Sequence, residues 1–76
     1  MDILLGQKIA NDRYFHRGRI TQVLNADGFT VITFRENGRN YFLKLDDEEI
    51  NMLKQGKNVG DGWYLDGAKK RTGNTL

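Results

Sequence analysis

The chain has 76 residues, of which 38% are hydrophobic and 29% charged, the size and composition of one small domain with a thin core. It contains no cysteine and one histidine, so disulfides are excluded and too few ligands remain for an ordinary zinc site. No apolar run approaches the ~20 residues of a membrane span, and the first residues do not resemble a signal peptide. We therefore expect a cytoplasmic protein without a membrane partner.

The net charge of +2 is unevenly distributed along the chain. Residues 8–44 carry a net charge of +4, and residues 45–66 carry −4. The last ten residues add three basic side chains and no acid. Such a polarised chain permits a nucleic-acid partner without requiring one.

Glycine and asparagine punctuate the first two thirds of the chain. A short strand is predicted within residues 6–10 and is followed by a loop. The sequences Asn25-Ala26-Asp27-Gly28 and Glu36-Asn37-Gly38-Arg39 each supply the positive φ angles of a tight hairpin turn. Three strands over about 17–24, 29–35 and 40–45 therefore form an antiparallel meander. In the third, Tyr41, Leu43 and Leu45 share one face.

The pattern changes to a helix after Leu45. Asp46 is a suitable N-cap, and Glu49 three positions later completes a capping box. Leu53 continues an apolar stripe, and Gly56 can end the helix in the left-handed conformation. These signals predict about ten helical residues, near 47–55.

The remaining segment is predicted to hold one closing strand within residues 60–66. Trp63 and Tyr64 in that strand are expected in the core rather than in a site. Residues 67–76 have no apolar anchor before the last residue, so a disordered basic tail is predicted. The sequence thus predicts a single, mainly β domain over residues 1–66, with about five short antiparallel strands and one short α-helix.

This order of elements resembles the SH3-like and Tudor-like small β-barrels, such as those that end UvrD/PcrA-type helicases. The segments that carry the resemblance are Ile9, Tyr14 to Ile20, Ile32-Thr33-Phe34, Leu43-Lys44-Leu45 and Leu53. The resemblance covers about residues 6–53 and implies an SH3-like small barrel that binds partners through a loop and the strand after it. A minor second resemblance, in Gly18-Arg19-Ile20 and Gly28 to Ile32, is to cold-shock, OB-type barrels. Thr21, Gln22, Val23 and Thr30 stand where that family has its stacking aromatics and second glycine.

The residue inventory argues against catalysis. The sequence has no cysteine and no serine, and its threonines have no evident base beside them. Capping explains the acidic run at 46–49, and the glycines occur singly rather than in a phosphate-binding loop. We expect no enzyme, no catalytic residue, no cofactor and no metal ion, and a structural role for His16.

A binding site is better supported. Arginines and aromatics alternate before and within the second strand, a combination that can pair with carboxylates or phosphates and offers stacking faces. The candidate partner-binding residues are Arg13, Tyr14, Phe15, His16, Arg17, Arg19, Arg35 and Arg39, and the tail adds Lys69, Lys70 and Arg71 as further contacts.

Three functions fit these residues. The first is a non-catalytic adaptor or regulator that binds a protein partner through the basic and aromatic loop. The second is a nucleic-acid-binding protein that uses the same basic face together with the tail. The third is an inhibitor of a larger host enzyme, of the kind that phages and mobile elements encode. The sequence also leaves open a homodimer formed through an open sheet edge.

Overall fold

Turns and alternating side chains build one sheet in the computed structural model, which describes residues 3–67. Its strands are β1 (Lys8–Asn11), β2 (His16–Asn25), β3 (Phe29–Glu36), β4 (Arg39–Asp46) and β5 (Trp63–Leu65), and the helix α1 is Asp47–Lys54. All neighbours pair antiparallel in the order β4-β3-β2-β1-β5, and the sheet curls into a half-barrel. The predicted mainly β fold of five short strands and one helix is confirmed.

Left-handed residues form the turns where the sequence predicts them. Asn37 and Gly38 have φ angles of 51° and 80° and join β3 to β4 as a two-residue hairpin turn. Gly28, with φ 88°, lies directly before β3. The observed bounds of the three middle strands differ from the predicted ones by one residue or less.

The helix α1 begins with the predicted capping box and ends before the predicted left-handed glycine. The Asp46 side chain accepts a hydrogen bond from the Glu49 backbone N–H at 2.8 Å, and the Glu49 side chain accepts one from the Asp46 N–H at 3.0 Å. Gly56 is left-handed, and the Lys57 N–H donates to the Met52 carbonyl at 3.0 Å, which closes a Schellman motif. The helix has 8 residues, two fewer than the expected ten, because Gln55 already leaves it as the C-cap.

The core lies between the concave face of the sheet and α1. The helix packs against β3, β4 and β5 and so covers the space between the two edge strands, β4 and β5. The buried cluster consists of Leu4, Ile9, Ile20, Ile32, Phe34, Leu45, Ile50, Leu53, Val59 and Leu65. Tyr64 is buried and Trp63 packs against the cluster from its margin. Within residues 3–67, no helix has the length and apolar character needed to cross a membrane.

Strands β2 and β3 lie close together at Gly18. A Cβ atom at this position would lie 2.5 Å from the Arg35 carbonyl oxygen and 2.8 Å from a ring carbon of Phe34. Glycine is therefore required here by space rather than by its backbone angles. The close approach fixes the start of β2, which leads directly out of the loop that carries the predicted site.

Candidate functional site

A buried asparagine organises the loop at residues 12–15, between β1 and β2. The Asn11 side chain is fully buried, and its Oδ1 accepts hydrogen bonds from the Arg13 N–H at 2.9 Å and the Tyr14 N–H at 3.2 Å. Its Nδ2 donates to the Asp61 carbonyl at 3.3 Å. One side chain thus holds both this loop and the turn before β5.

The loop presents two aromatic rings to solvent. Phe15 is 89% exposed, Tyr14 is 51% exposed, and the Arg13 guanidinium lies 5.8 Å from the centroid of the Tyr14 ring. Phe15 has a φ of 60°, a left-handed conformation that costs a non-glycine residue ~1–2 kcal/mol. Burial of the ring does not offset this cost, so the conformation is strained without a packing reason.

A cleft of about 370 Å³ opens beside the Phe15 ring, lined by Asn11, Asp12, Phe15, His16 and Arg17. The Arg17 guanidinium lies 3.2 Å from an Asp66 carboxylate oxygen and 3.8 Å from one of Asp12. The Tyr64 hydroxyl donates to the same Asp12 oxygen at 2.7 Å. Because Arg17 forms ion pairs with two carboxylates, its side chain is held in one position along the wall of the cleft.

His16 lies in a cluster of rings, with Phe34, Tyr41 and Trp63, that we call the ring cluster. The imidazole stacks on the Trp63 ring with centroids 5.8 Å apart and planes inclined by 13°. Its Nδ1 lies 2.7 Å from Glu36 Oε1, and because a carboxylate only accepts hydrogen bonds, Nδ1 is the donor. The second Glu36 oxygen accepts from the Arg17 N–H at 2.8 Å. The residues adjacent to the cleft are thereby fixed to the end of β3.

This arrangement makes the unfolding free energy depend on pH. The hydrogen bond from His16, with one from the Arg17 backbone, holds the pKa of the Glu36 carboxyl below its ordinary value of 4.5. A folded-state pKa below the unfolded one stabilises the protein fully above about pH 5, and the stabilisation is lost as pH falls through the folded value. We expect Glu36→Gln to be less stable than the wild type at neutral pH and equally stable in acid, as urea titrations between about pH 3 and 7 can measure.

The control for this prediction is Asp27→Asn, which removes one exposed carboxylate from the turn between β2 and β3. Its stability difference from the wild type should stay small at every pH. A difference for Glu36→Gln that is the same in acid and at neutral pH would show that its carboxylate does not act through ionisation.

The other predicted arginines lie on the sheet. Arg19 in β2 and Arg35 in β3 are exposed and directly opposite one another. Arg39 begins β4 and pairs with Glu36 across the hairpin turn. The structure therefore places Arg13, Tyr14 and Phe15 together in the loop, His16 and Arg17 along the cleft, and the remaining three on the sheet. The tail residues Lys69, Lys70 and Arg71 lie outside the described residues.

Sequence reasoning missed two residues that shape these surfaces. Asn11 precedes Asp12 in an ordinary turn sequence, and its bond to Asp61 depends on a contact across 50 residues of chain. Lys8 lies opposite Arg19, and this pairing is set by the register of the hairpin between β1 and β2. The sequence around Asn11 indicated a turn, whereas no pattern in the sequence pointed to a role for Lys8.

Comparisons with known proteins assign the chain to no family. No protein-family model, curated protein or solved structure matches the chain. The resemblance to SH3-like and Tudor-like modules therefore stays a prediction from the sequence, and the site is defined by its own contacts alone.

Proposed function

We propose that the protein is a non-catalytic binding module whose loop at residues 12–15 engages a protein partner. The observation that carries this proposal is the Phe15 ring, 89% exposed on a left-handed backbone. Strained residues cluster at binding and active sites, so a strained residue that buries nothing points to a contact outside the molecule. Asn11 holds the loop in place, so little conformational entropy would be lost when a partner binds.

The chemistry of the loop favours a protein surface. Protein interfaces are enriched in aromatic residues and arginine, which Arg13, Tyr14 and Phe15 supply here. Asp12 lines the cleft, and its carboxylate would repel a phosphate backbone at this point. The partner surface that fits best has an apolar pocket for the Phe15 ring and a carboxylate for Arg13.

Replacing Phe15 with glycine separates binding from folding. Glycine adopts a φ of 60° without strain, and the ring buries almost nothing, so the unfolding free energy should stay constant or rise by up to about 1 kcal/mol. Affinity capture from nuclease-treated source-cell extract should retain a stoichiometric protein partner on the wild type and lose it on Phe15→Gly. Urea denaturation of both proteins measures the stability.

The matched control is Leu24→Ala, which removes an apolar side chain that is 54% exposed in β2. This variant should capture the partner as the wild type does. Retention of the partner by Phe15→Gly, or its equal loss from Leu24→Ala, would contradict the proposal.

A further inference from the structure

Three basic residues form a row across the convex face of the sheet. Lys8 in β1 lies opposite Arg19 in β2, and Arg19 lies opposite Arg35 in β3. Directly opposed residues share a face, and each of the three is adjacent in sequence to a core residue that points to the concave side. Adjacent strands are ~4.8 Å apart, so the basic row places three cations over about 10 Å.

Folding alone does not account for this basic row. Like charges that face one another across a strand pair are destabilising, and here two such pairs are adjacent. Among the described residues, none of the three has a carboxylate partner within ion-pair distance, and all are exposed. The Arg19 guanidinium donates to the Gly6 carbonyl at 2.6 Å, which orients it without neutralising it. Within residues 3–67, the positive charge of the row is therefore uncompensated.

The surroundings of the row suit a chain of phosphates and bases. A cleft of about 340 Å³ begins between Lys8 and Arg19, and its one acid, Asp66, already pairs with Arg17. The next row along the same face, Gln22, Thr33 and Phe42, contains no acid. Phe42 is 73% exposed and lies diagonally across from Arg35. Cations and an open aromatic face thus occur within reach of one ligand.

We propose that a single-stranded nucleic acid binds across this convex face, with phosphates on the basic row and one base stacked on Phe42. The three cations offer charge complementarity to a phosphate backbone. Stacking on Phe42 requires a base whose face is free, which single strands offer and duplexes do not. This surface lies on the sheet, so the proposal stands or falls independently of the loop that contacts a protein partner.

The test uses the full chain and fluorescence anisotropy with labelled deoxythymidine and uridine oligomers of about 20 nucleotides. Lys8→Gln with Arg35→Gln should weaken binding roughly tenfold at about 50 mM salt while leaving the Arg19 bond to Gly6 intact. The slope of log K against log salt should become shallower by about 1.4, the value for two phosphate contacts on a single strand. Phe42→Ala should weaken binding at least about fivefold with the slope unchanged.

Two controls match these variants. Lys54→Gln with Lys57→Gln removes the same charge from α1 and the turn after it, and Ile3→Ala removes another exposed apolar side chain. Both should bind the oligomers as the wild type does. The proposal is overturned by absence of binding at low salt, by equal losses in the control and row variants, or by tighter binding to duplex DNA or to anionic phospholipid vesicles. The thermal midpoint of the row variant should be unchanged or higher, because a like-charge contact is removed.

Discussion

Replacing Gly18 with alanine is expected to lower the unfolding free energy by about 3 kcal/mol, because the added methyl group has no space. Its carbon would lie 2.5 Å from the Arg35 carbonyl oxygen, a backbone atom that cannot rotate away, and 2.8 Å from the Phe34 ring. The strands must separate at this point, which disturbs the hydrogen bonds between them and the packing of Phe34. For a domain of this size the thermal midpoint should fall by roughly 12–24 °C, which calorimetry can measure.

The matched control is Gly67→Ala, since a methyl group on Gly67 would meet no atom of residues 3–67 within 4 Å and the residue has no positive φ. Its thermal midpoint should lie within a few degrees of the wild type. If Gly18→Ala were as stable as this control, the strands would have to be further apart at Gly18 than the structure shows. Comparing the two variants also separates steric overlap in the folded protein from the change in conformational entropy of the unfolded chain, because both substitutions restrict the unfolded chain equally.

Replacing Asn11 with alanine is expected to cost about 2–3 kcal/mol of unfolding free energy. The substitution removes the acceptor for the Arg13 and Tyr14 amides and the donor to the Asp61 carbonyl from a fully buried position. Because both the loop and the turn before β5 lose their anchor, amide hydrogen exchange at Arg13 and Tyr14 should accelerate more than in the core strands. Urea denaturation and exchange monitored by NMR measure the two effects.

Asn25→Ala is the control, because Asn25 also ends a strand but is exposed and accepts one hydrogen bond, from the Thr30 hydroxyl. Its cost should be below about 1 kcal/mol. Protected amides at Arg13 and Tyr14 in Asn11→Ala would mean that the loop holds its shape without the asparagine.

The elements that the sequence predicts well are those with local causes. The turns at Asn37-Gly38 and before Phe29 follow from residues that tolerate positive φ, and the helix follows from the capping box of Asp46 with Glu49. These signals act over a few residues, so pattern and propensity suffice to place them. Strand alternation likewise places Tyr41, Leu43 and Leu45 toward the core.

The candidate site was less predictable because its parts depend on contacts between distant segments. The arginines between residues 13 and 39 could be chosen from composition, but only the strand register shows that Arg19 and Arg35 face one another. The pairing of Arg17 with Asp66 spans 49 residues, and composition alone could not distinguish this neutralised arginine from an open one. Register and long-range contacts are tertiary facts that no local pattern encodes.

The position of Trp63 gives the molecule a built-in optical reporter. It is the single tryptophan of the chain, it stacks on His16, and it lies within the segment that follows the Asn11–Asp61 contact. Indole emission responds to the polarity and ring contacts around it, so changes at the cleft alter an intrinsic signal from the unlabelled protein. The binding proposed for the loop at residues 12–15 can therefore be tested through the tryptophan emission of the unlabelled protein, with no dye attached to the loop.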